Sequence, residues 1–349
     1  MNLPSFRRIW AMFIARNYEF FRDRAAFGWN FMFPFMLIVG FGLMFNDREY
    51  QQFKVGVFSA QQPEQQAETT LPDSFLNDKH IVIIPVESLE AGEKKLLNHK
   101  LDLLVAATSP THAYWLNDSS PNGALAEKIF LTSFLGADLP AEKKLLNGYQ
   151  VRYLDWLFPG ILAMNMMFSA LWGVGYIVVR YRKNGALKRL KATPLTAFEY
   201  LSAQILSRIF LLMFTLIIVW FGADLIFDFR VAGSLWLVFF LFFLGGLNLS
   251  AMGLILAARG TSEEFASGTL NFISWPMMFL SEVWFSLEGS PEWILKISQL
   301  FPLTHLLTGI RAVMNDAATL YDVRLECILL TVSTILFLFI ASRIFSWNA

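Results

Sequence analysis

Cys327 is the only cysteine in this chain, which excludes an intramolecular disulfide and any cysteine-based metal site. Charge is scarce too. Asp, Glu, Lys and Arg make up 16% of the residues, against about 25% in soluble domains. Of the four histidines, His80, His99 and His112 are scattered through one polar region and read as ordinary surface or core residues. No GxxxxGK[ST] loop is present, so the chain cannot bind ATP by that means. No basic run is joined to a nucleic-acid motif, and nucleic acid is set aside as a partner.

What fills the chain instead is apolar. Hydrophobic residues make up 55%, with 35 Phe and 11 Trp, and the mean hydropathy is +0.47. That composition reads as a polytopic α-helical membrane protein. The formal net charge of zero decides little, because the signs are sorted along the chain.

Residues 1–26 carry an amphipathic helix pattern. Leu3, Phe6, Ile9, Trp10, Phe13, Ile14, Phe20 and Phe21 recur at helical spacing, with Arg7, Arg8, Arg16, Glu19 and Arg22 on the other face. Such a helix packs on protein or lies in a membrane interface. Aromatics opposite arginines favour the interface. The charged stretch is too long for a cleavable signal peptide, and no small-residue site follows the apolar run. Residues 27–45 are uncharged, long enough to cross a hydrocarbon core of about 30 Å, with a kink expected at Pro34. Five arginines precede this run, which places the amino terminus inside.

Residues 46–156 change character. Turn residues appear (Gln61-Gln62-Pro63 and 117–123), and β-type runs at 54–58, 81–86, 101–106 and 113–116 alternate with helix patterns at 88–99 and 124–134. The alternation predicts an extracytoplasmic α/β domain of roughly a hundred residues. It holds no phosphate loop, metal-ligand cluster or Ser-His-Asp set, so no catalytic or metal residue is nominated.

Further apolar runs cover 157–179, 209–227, 231–258, 265–281 and 325–342. A tight link at Asp228-Phe229-Arg230 predicts an antiparallel hairpin, and Gly245, Gly246 and Gly253 suit close helix approach. A short inner loop runs from Arg259 to Glu264. The fifth span contains Pro276 and then meets Glu282, an ionisable residue at a span edge and hence a functional-site candidate, or else a plain interfacial carboxylate. Residues 282–324 read as an outer re-entrant segment, with Ser290-Pro291-Glu292 as one helix start and Pro302 as another. Counting Lys and Arg beside the spans yields six transmembrane helices with both termini inside.

Residues 180–199, RYRKNGALKRLKATPLTAFE, form a basic loop between two of these spans. After Gly185, leucines alternate with cations (Leu187, Leu190; Lys188, Arg189, Lys191), which suits a short surface helix stopped at Thr193-Pro194, with Thr196 capping the next helix. Solvated cations acting only as a topology signal are the alternative; the leucine pattern and the stop favour a docking helix.

The second span running into GALKRLKATPLTAFEYL, together with the block WPMMFLSEVWFSLEGSPEWILKISQLFPLTHLLTGIRAVM, resembles the permease subunits of ABC-2 type exporters. The shared features stand here at Pro276, Ser281 to Leu287, Pro291 to Trp293, Phe301 to Thr304 and Arg311. This chain departs from the family in having Arg182-Lys183-Asn184 before Gly185, where acidic residues are common, and Ser281-Glu282 where Ser-Gly is common. The resemblance implies a dimer with a second copy of the chain or a paralogous permease, in a bacterial inner membrane, exporting a hydrophobic or amphipathic compound. It implies a cytosolic ATPase that carries ATP and Mg, with no cofactor on this chain, docking at Gly185, Leu187, Lys188, Arg189, Leu190, Thr193 and Pro194. It also nominates Phe31, Phe35, Asn165, Phe168, Asn271 and Trp275 as lining the transport path; Asn165 and Asn271 equally suit hydrogen bonds between helices. Glu282 joins that list from its position. A membrane-anchored extracytoplasmic enzyme, or a membrane protein whose outer domain binds a partner, stays open beside the exporter.

One measurement checks the orientation. In a Cys327→Ser background, a cysteine at Asn184 is expected to resist an impermeant maleimide in intact cells and to react once the membrane is opened; labelling in intact cells inverts the topology.

Overall fold

The computed structural model describes residues 3–45, 53–58, 71–97, 101–106, 113–117, 120–134, 152–258, 262–287 and 290–345. The Gln61–Pro63 turn, His99, His112 and 259–261 lie outside them. The chain separates into two compact units, 47–149 and the rest.

The unit at 47–149 is built on a four-stranded sheet of order β2-β1-β3-β4, with β1 Phe53–Phe58, β2 Ile81–Pro85, β3 Leu103–Ala106 and β4 Tyr114–Trp115. The central β1 pairs in parallel with β2 and β3, and β4 returns antiparallel to β3. Side-chain alternation sorts the two faces. Val55, Leu103 and Val105 pack with Phe75 of α3 (Asp73–Leu76) and Phe130 of α5 (Pro121–Thr132), while Leu104 joins Val86 and Leu96 of α4 (Leu89–Leu97). Helix α5 starts at Pro121, earlier than expected, because the Ser120 side chain accepts from the Gly123 amide at 3.1 Å and proline fits the first turn.

The second unit is helical. It begins with α1 (Leu3–Arg22) and α2 (Arg24–Phe45). The second apolar run is continuous over Tyr153–Lys183, made of α6 (Tyr153–Ala170), a π-helical stretch Leu171–Tyr176 and α7 (Ile177–Lys183). Then follow α8 (Ala186–Lys191), α9 (Ala197–Phe227), α10 (Leu235–Ala257), α11 (Glu263–Leu280), α12 (Glu292–Ser298), α13 (Pro302–Asp316) and α14 (Arg324–Ile344). Among the described residues, five helical stretches are long and apolar enough to cross a membrane: Phe27–Met44, Tyr153–Lys183, Ala197–Phe227, Leu235–Ile255 and Arg324–Ile344. Helix α11 is not among them, because Glu263, Glu264, Asn271, Ser274 and Pro276 dilute its hydropathy.

Two details differ from the sequence reading. The link from α9 to α10 is not a three-residue turn but spans residues 228–234. Its Ala232 and Gly233 amides donate to the carbonyls of Met314 and Val313 at 2.8 and 3.0 Å, which serves bare acceptors at the end of α13. Ser290 does not cap α12; the helix begins at Glu292 with Pro291 at the cap position and no side-chain bond.

The core lies where α6 and the π stretch meet α9, α10 and α13, around Phe158, Ile161, Trp220 and Phe242. Phe158 stacks on Phe229 at 3.8 Å between centroids. Small residues set the spacing. A Cβ on Gly245 would stand 2.5 Å from the Leu306 side chain, whereas at Gly246 it would meet only ordinary contacts. Asn248 ties α10 to α14 by donating to the Leu330 carbonyl at 3.0 Å and the Ser333 hydroxyl at 2.6 Å.

Gly160 supports the sharpest packing test, since a methyl there would lie 2.5 Å from the Val283 backbone oxygen. Gly160→Ala is expected to cost about 1–3 kcal/mol, read as a lower unfolding midpoint in detergent. An unchanged midpoint means that α6 is not seated against this turn.

Candidate functional site

Two long helices meet at a short basic element. Helix α7 ends at Lys183, and Gly185 takes φ +70°, a left-handed conformation that glycine adopts without steric cost. That reversal starts α8. Its Leu187 is fully buried with Val178, Val179, Tyr200 and Ala266, and Leu190 and Leu195 pack on the same cluster. The turn after α8 is closed by the Thr193 hydroxyl, which donates to the Leu190 carbonyl at 2.6 Å. Lys188, Arg189, Lys191, Thr193 and Pro194 face outward. Phe198 lies beyond them, 70% exposed. The result is a cationic, partly apolar platform held from beneath by leucine.

The platform is fastened at several places. Arg182 of α7 is buried and donates to the Ala258 carbonyl at 2.9 Å, where α10 ends, as suits a cation at a helix C-terminus. Lys183 pairs with Glu263 of α11 at 3.3 Å, and the Tyr176 hydroxyl donates to the same carboxylate at 2.6 Å. The third fastening is Glu199. It closes a capping box at the start of α9, accepting from the Thr196 amide at 2.9 Å while its own amide donates to the Thr196 hydroxyl at 3.2 Å. The same carboxylate is buried against α1, accepting from Arg8 at 2.6 and 3.1 Å and from the Ser5 hydroxyl. The carboxylate in turn raises the Arg8 pKa. Arg16 bonds Glu19 and the Tyr181 hydroxyl of α7.

Helix α1 therefore turns Arg8 and Arg16 toward the protein and leaves Phe6, Trp10, Ile14, Tyr18 and Phe21 exposed. Glu199 was legible only as the last member of a Thr-x-x-Glu box. Its partner Arg8, 191 positions away, has no signal in sequence.

The residues nominated for a path do not form one lining within a single chain. Phe31 packs on Phe27 at 4.8 Å and meets Phe214 of α9 edge-on at 6.1 Å. Phe35 sits under Gly222, where any side chain would strike its ring. Asn165 borders a small cavity between α6 and α9 with Leu162, Met166, Ser169, Leu212, Thr215, Leu216 and Val219. Phe168 lies 5.5 Å from Trp172. Asn271 and Trp275, by contrast, are on the exposed side of α11. Glu282 stands in the turn after α11 at φ +59°, a left-handed conformation rare for a residue with a side chain. Its carboxylate accepts from the Leu287 amide at 2.8 Å and pairs with Arg311 at 3.6 Å. Arg311 also donates to the Glu282 carbonyl at 2.7 Å and lies 3.8 Å over the Trp156 ring.

Residues 25–343 match a family model described as an ABC-2 family transporter protein. A probable multidrug ABC transporter permease of Escherichia coli, YbhS, is 20% identical over 341 residues, covering 88% of each chain. A second one, YbhR, is 24% identical over 44% of this chain and 42% of its own length, so this match spans less than half of that relative. The daunorubicin resistance permease DrrB1 of Streptomyces coeruleorubidus is 24% identical over 50% of this chain and 62% of its own.

A double-substitution cycle tests the clamp. Arg8→Ala and Glu199→Gln should each lower the unfolding midpoint by several degrees, and the double variant should fall little further than the worse single. Additive losses would mean that the two side chains act independently.

Proposed function

Because the chain belongs to the ABC-2 family of transporter proteins, we propose that it is the membrane subunit of an ATP-driven exporter, energised by ATPase subunits that dock on α8. The observation that carries this reading is the platform itself. Three cations and Phe198 are presented outward while Leu187 is locked beneath them. A protein seated there pushes on a lever with rigid joints. Displacement of α8 reaches α10 through Arg182, α11 through Lys183 and Glu263, and α1 through Glu199 and Arg8.

In this reading α11 crosses as the fifth of six spans, both termini are cytoplasmic, and the unit at 47–149 stands outside a bacterial inner membrane. Two permease chains, identical or paralogous, face each other. The exposed Asn271 and Trp275 of α11 then meet the other chain and complete a path with Phe31, Phe35, Asn165 and Phe168. The turn held by Glu282 and Arg311 closes its outer end, and the annular lipid meets the aromatic face of α1. ATP and Mg are bound on the ATPase; this chain orients and moves. The substrate is a hydrophobic or amphipathic compound, a class that agrees with the multidrug and daunorubicin-resistance names of the relatives.

Co-expression with candidate P-loop ATPases of the same cell tests the proposal. The ATPase is expected to co-purify with the wild-type chain, and the pair Lys188→Glu and Arg189→Glu should reduce its recovery at least tenfold without lowering the yield of the permease. Undiminished recovery removes α8 as the docking site. If no ATPase is ever recovered, the membrane-anchored enzyme or partner-binding reading takes over.

A further inference from the structure

The buried face of α9 carries an unusual polar series: Tyr200, Gln204, Ser207, Arg208 and Thr215, each below one tenth exposed. Arg208 is the charged member. Its guanidinium lies against Gly173, where any side chain would collide with it, inside the π-helical stretch Leu171–Tyr176. π-helical turns are frequent at functional sites. It donates to the Ser169 hydroxyl, which in turn donates to Asn30 of α2 at 3.0 Å. Nothing else answers it. No carboxylate among the described residues pairs with Arg208, its Nε meets no acceptor, and the side-chain nitrogen of Gln204, one turn away, meets none either. Arg16 adds like charge from the side of α1.

A guanidinium buried without an anion is costly, and such groups are normally paired. Two buried donors and a fixed cation on one face, with no acid, form half of an ion-binding site. Beside it runs the seam between α6 and α9. Ser169 borders a cavity of about 10 Å³ between α6 and α9, room for about one water, ringed by apolar Leu162, Met166, Leu212, Leu216 and Val219 and by the neutral hydrogen-bonding groups of Asn165 and Thr215.

We propose that Arg208, with Ser169 and Gln204, binds the acidic headgroup of an anionic amphiphile whose apolar body lies along the α6–α9 seam. A planar fork suits carboxylate or phosphate oxygens in a bidentate pair. Within the export reading, on which the word substrate rests, this narrows the cargo to amphipathic acids; the same chemistry is offered by an anionic phospholipid headgroup.

The test uses the full-length chain in a neutral maltoside detergent, titrated with dodecyl phosphate and, separately, dodecyltrimethylammonium. Dodecyl phosphate is expected to bind and raise the unfolding midpoint; the ammonium should do neither. Arg208→Gln should weaken dodecyl phosphate binding at least tenfold while its own midpoint without probe stays level or rises, since a neutral amide relieves an unpaired buried charge. A purely structural arginine would give the opposite, a lower midpoint with probe binding intact. Should Arg208→Gln not fold, Gly173→Ala keeps the charge but displaces the guanidinium, and should weaken binding as well. Equal binding by wild type and the variant that folds, or equal binding of the ammonium probe, overturns the proposal. Nanodiscs of phosphatidylcholine with and without phosphatidylglycerol assign the source: loss of dodecyl phosphate binding only in the discs that contain phosphatidylglycerol makes a phospholipid headgroup the occupant, and retention there makes it a free amphiphile. No ATPase or transport enters these measurements. A chain that binds but does not export loses only the export reading, and one that exports but binds no phosphate loses only this inference.

Discussion

Glu199 puts a carboxylate at the foot of a long apolar helix with almost no water around it, and the neighbouring chain is arranged to meet that charge. A buried carboxylate is tolerated only when its lone pairs are occupied. Here the Thr196 amide, Arg8 and Ser5 occupy them. The consequence is geometric. Helix α1 cannot float along a surface, because two of its polar side chains are committed to the start of α9. The element between α7 and α9 is held in the same way, with Leu187 in the core and Arg182 on the last turn of α10. A segment with few apolar contacts of its own thus inherits rigidity from the long helices around it.

The opposite end of the helical unit uses different means to the same effect. Around Arg311, one guanidinium serves the carbonyls of Trp156 and Glu282, pairs with the Glu282 carboxylate and covers the Trp156 ring. Left-handed backbone at Glu282 costs about 1–3 kcal/mol, and these contacts offset it. At both ends, then, charged groups fix the ends of long helices, while glycines and aromatics set the spacing in between. Polar contacts join the α8 region to α1, α10 and α11.

Much of this was legible because it is local. The period of α1, the Gly185 and Pro194 stops around α8, the proline that begins α13 and the strand–helix alternation of 53–134 depend on residues close in sequence, and the structure forms each of them. What failed was partner choice. Amphipathicity assigns arginines to a polar face, but a carboxylate from elsewhere serves as well as water, and so Arg8 and Arg16 point into the protein. The fold of the link between α9 and α10 was hidden for the same reason, since its amides are satisfied by α13 rather than by its own turn. Of the residues nominated for the path, Asn271 and Trp275 lie on an outer face that a single chain leaves open. Arg208 was visible only as one more cation; its lack of an anion is a property of the packing.

The π turn at Leu171–Tyr176 bears on how this chain should be compared with its kin. Such a turn commonly accommodates one inserted residue within an otherwise regular helix. A relative with plain α-helix here would reach the same two ends with one amino acid fewer. At identities of 20–24%, an alignment that places the gap elsewhere slips by one position, and a slip of one rotates every aligned side chain by roughly 100° around the axis. Residues that share a column would then look in different directions, and Gly173 would be paired with a neighbour that never faces an arginine.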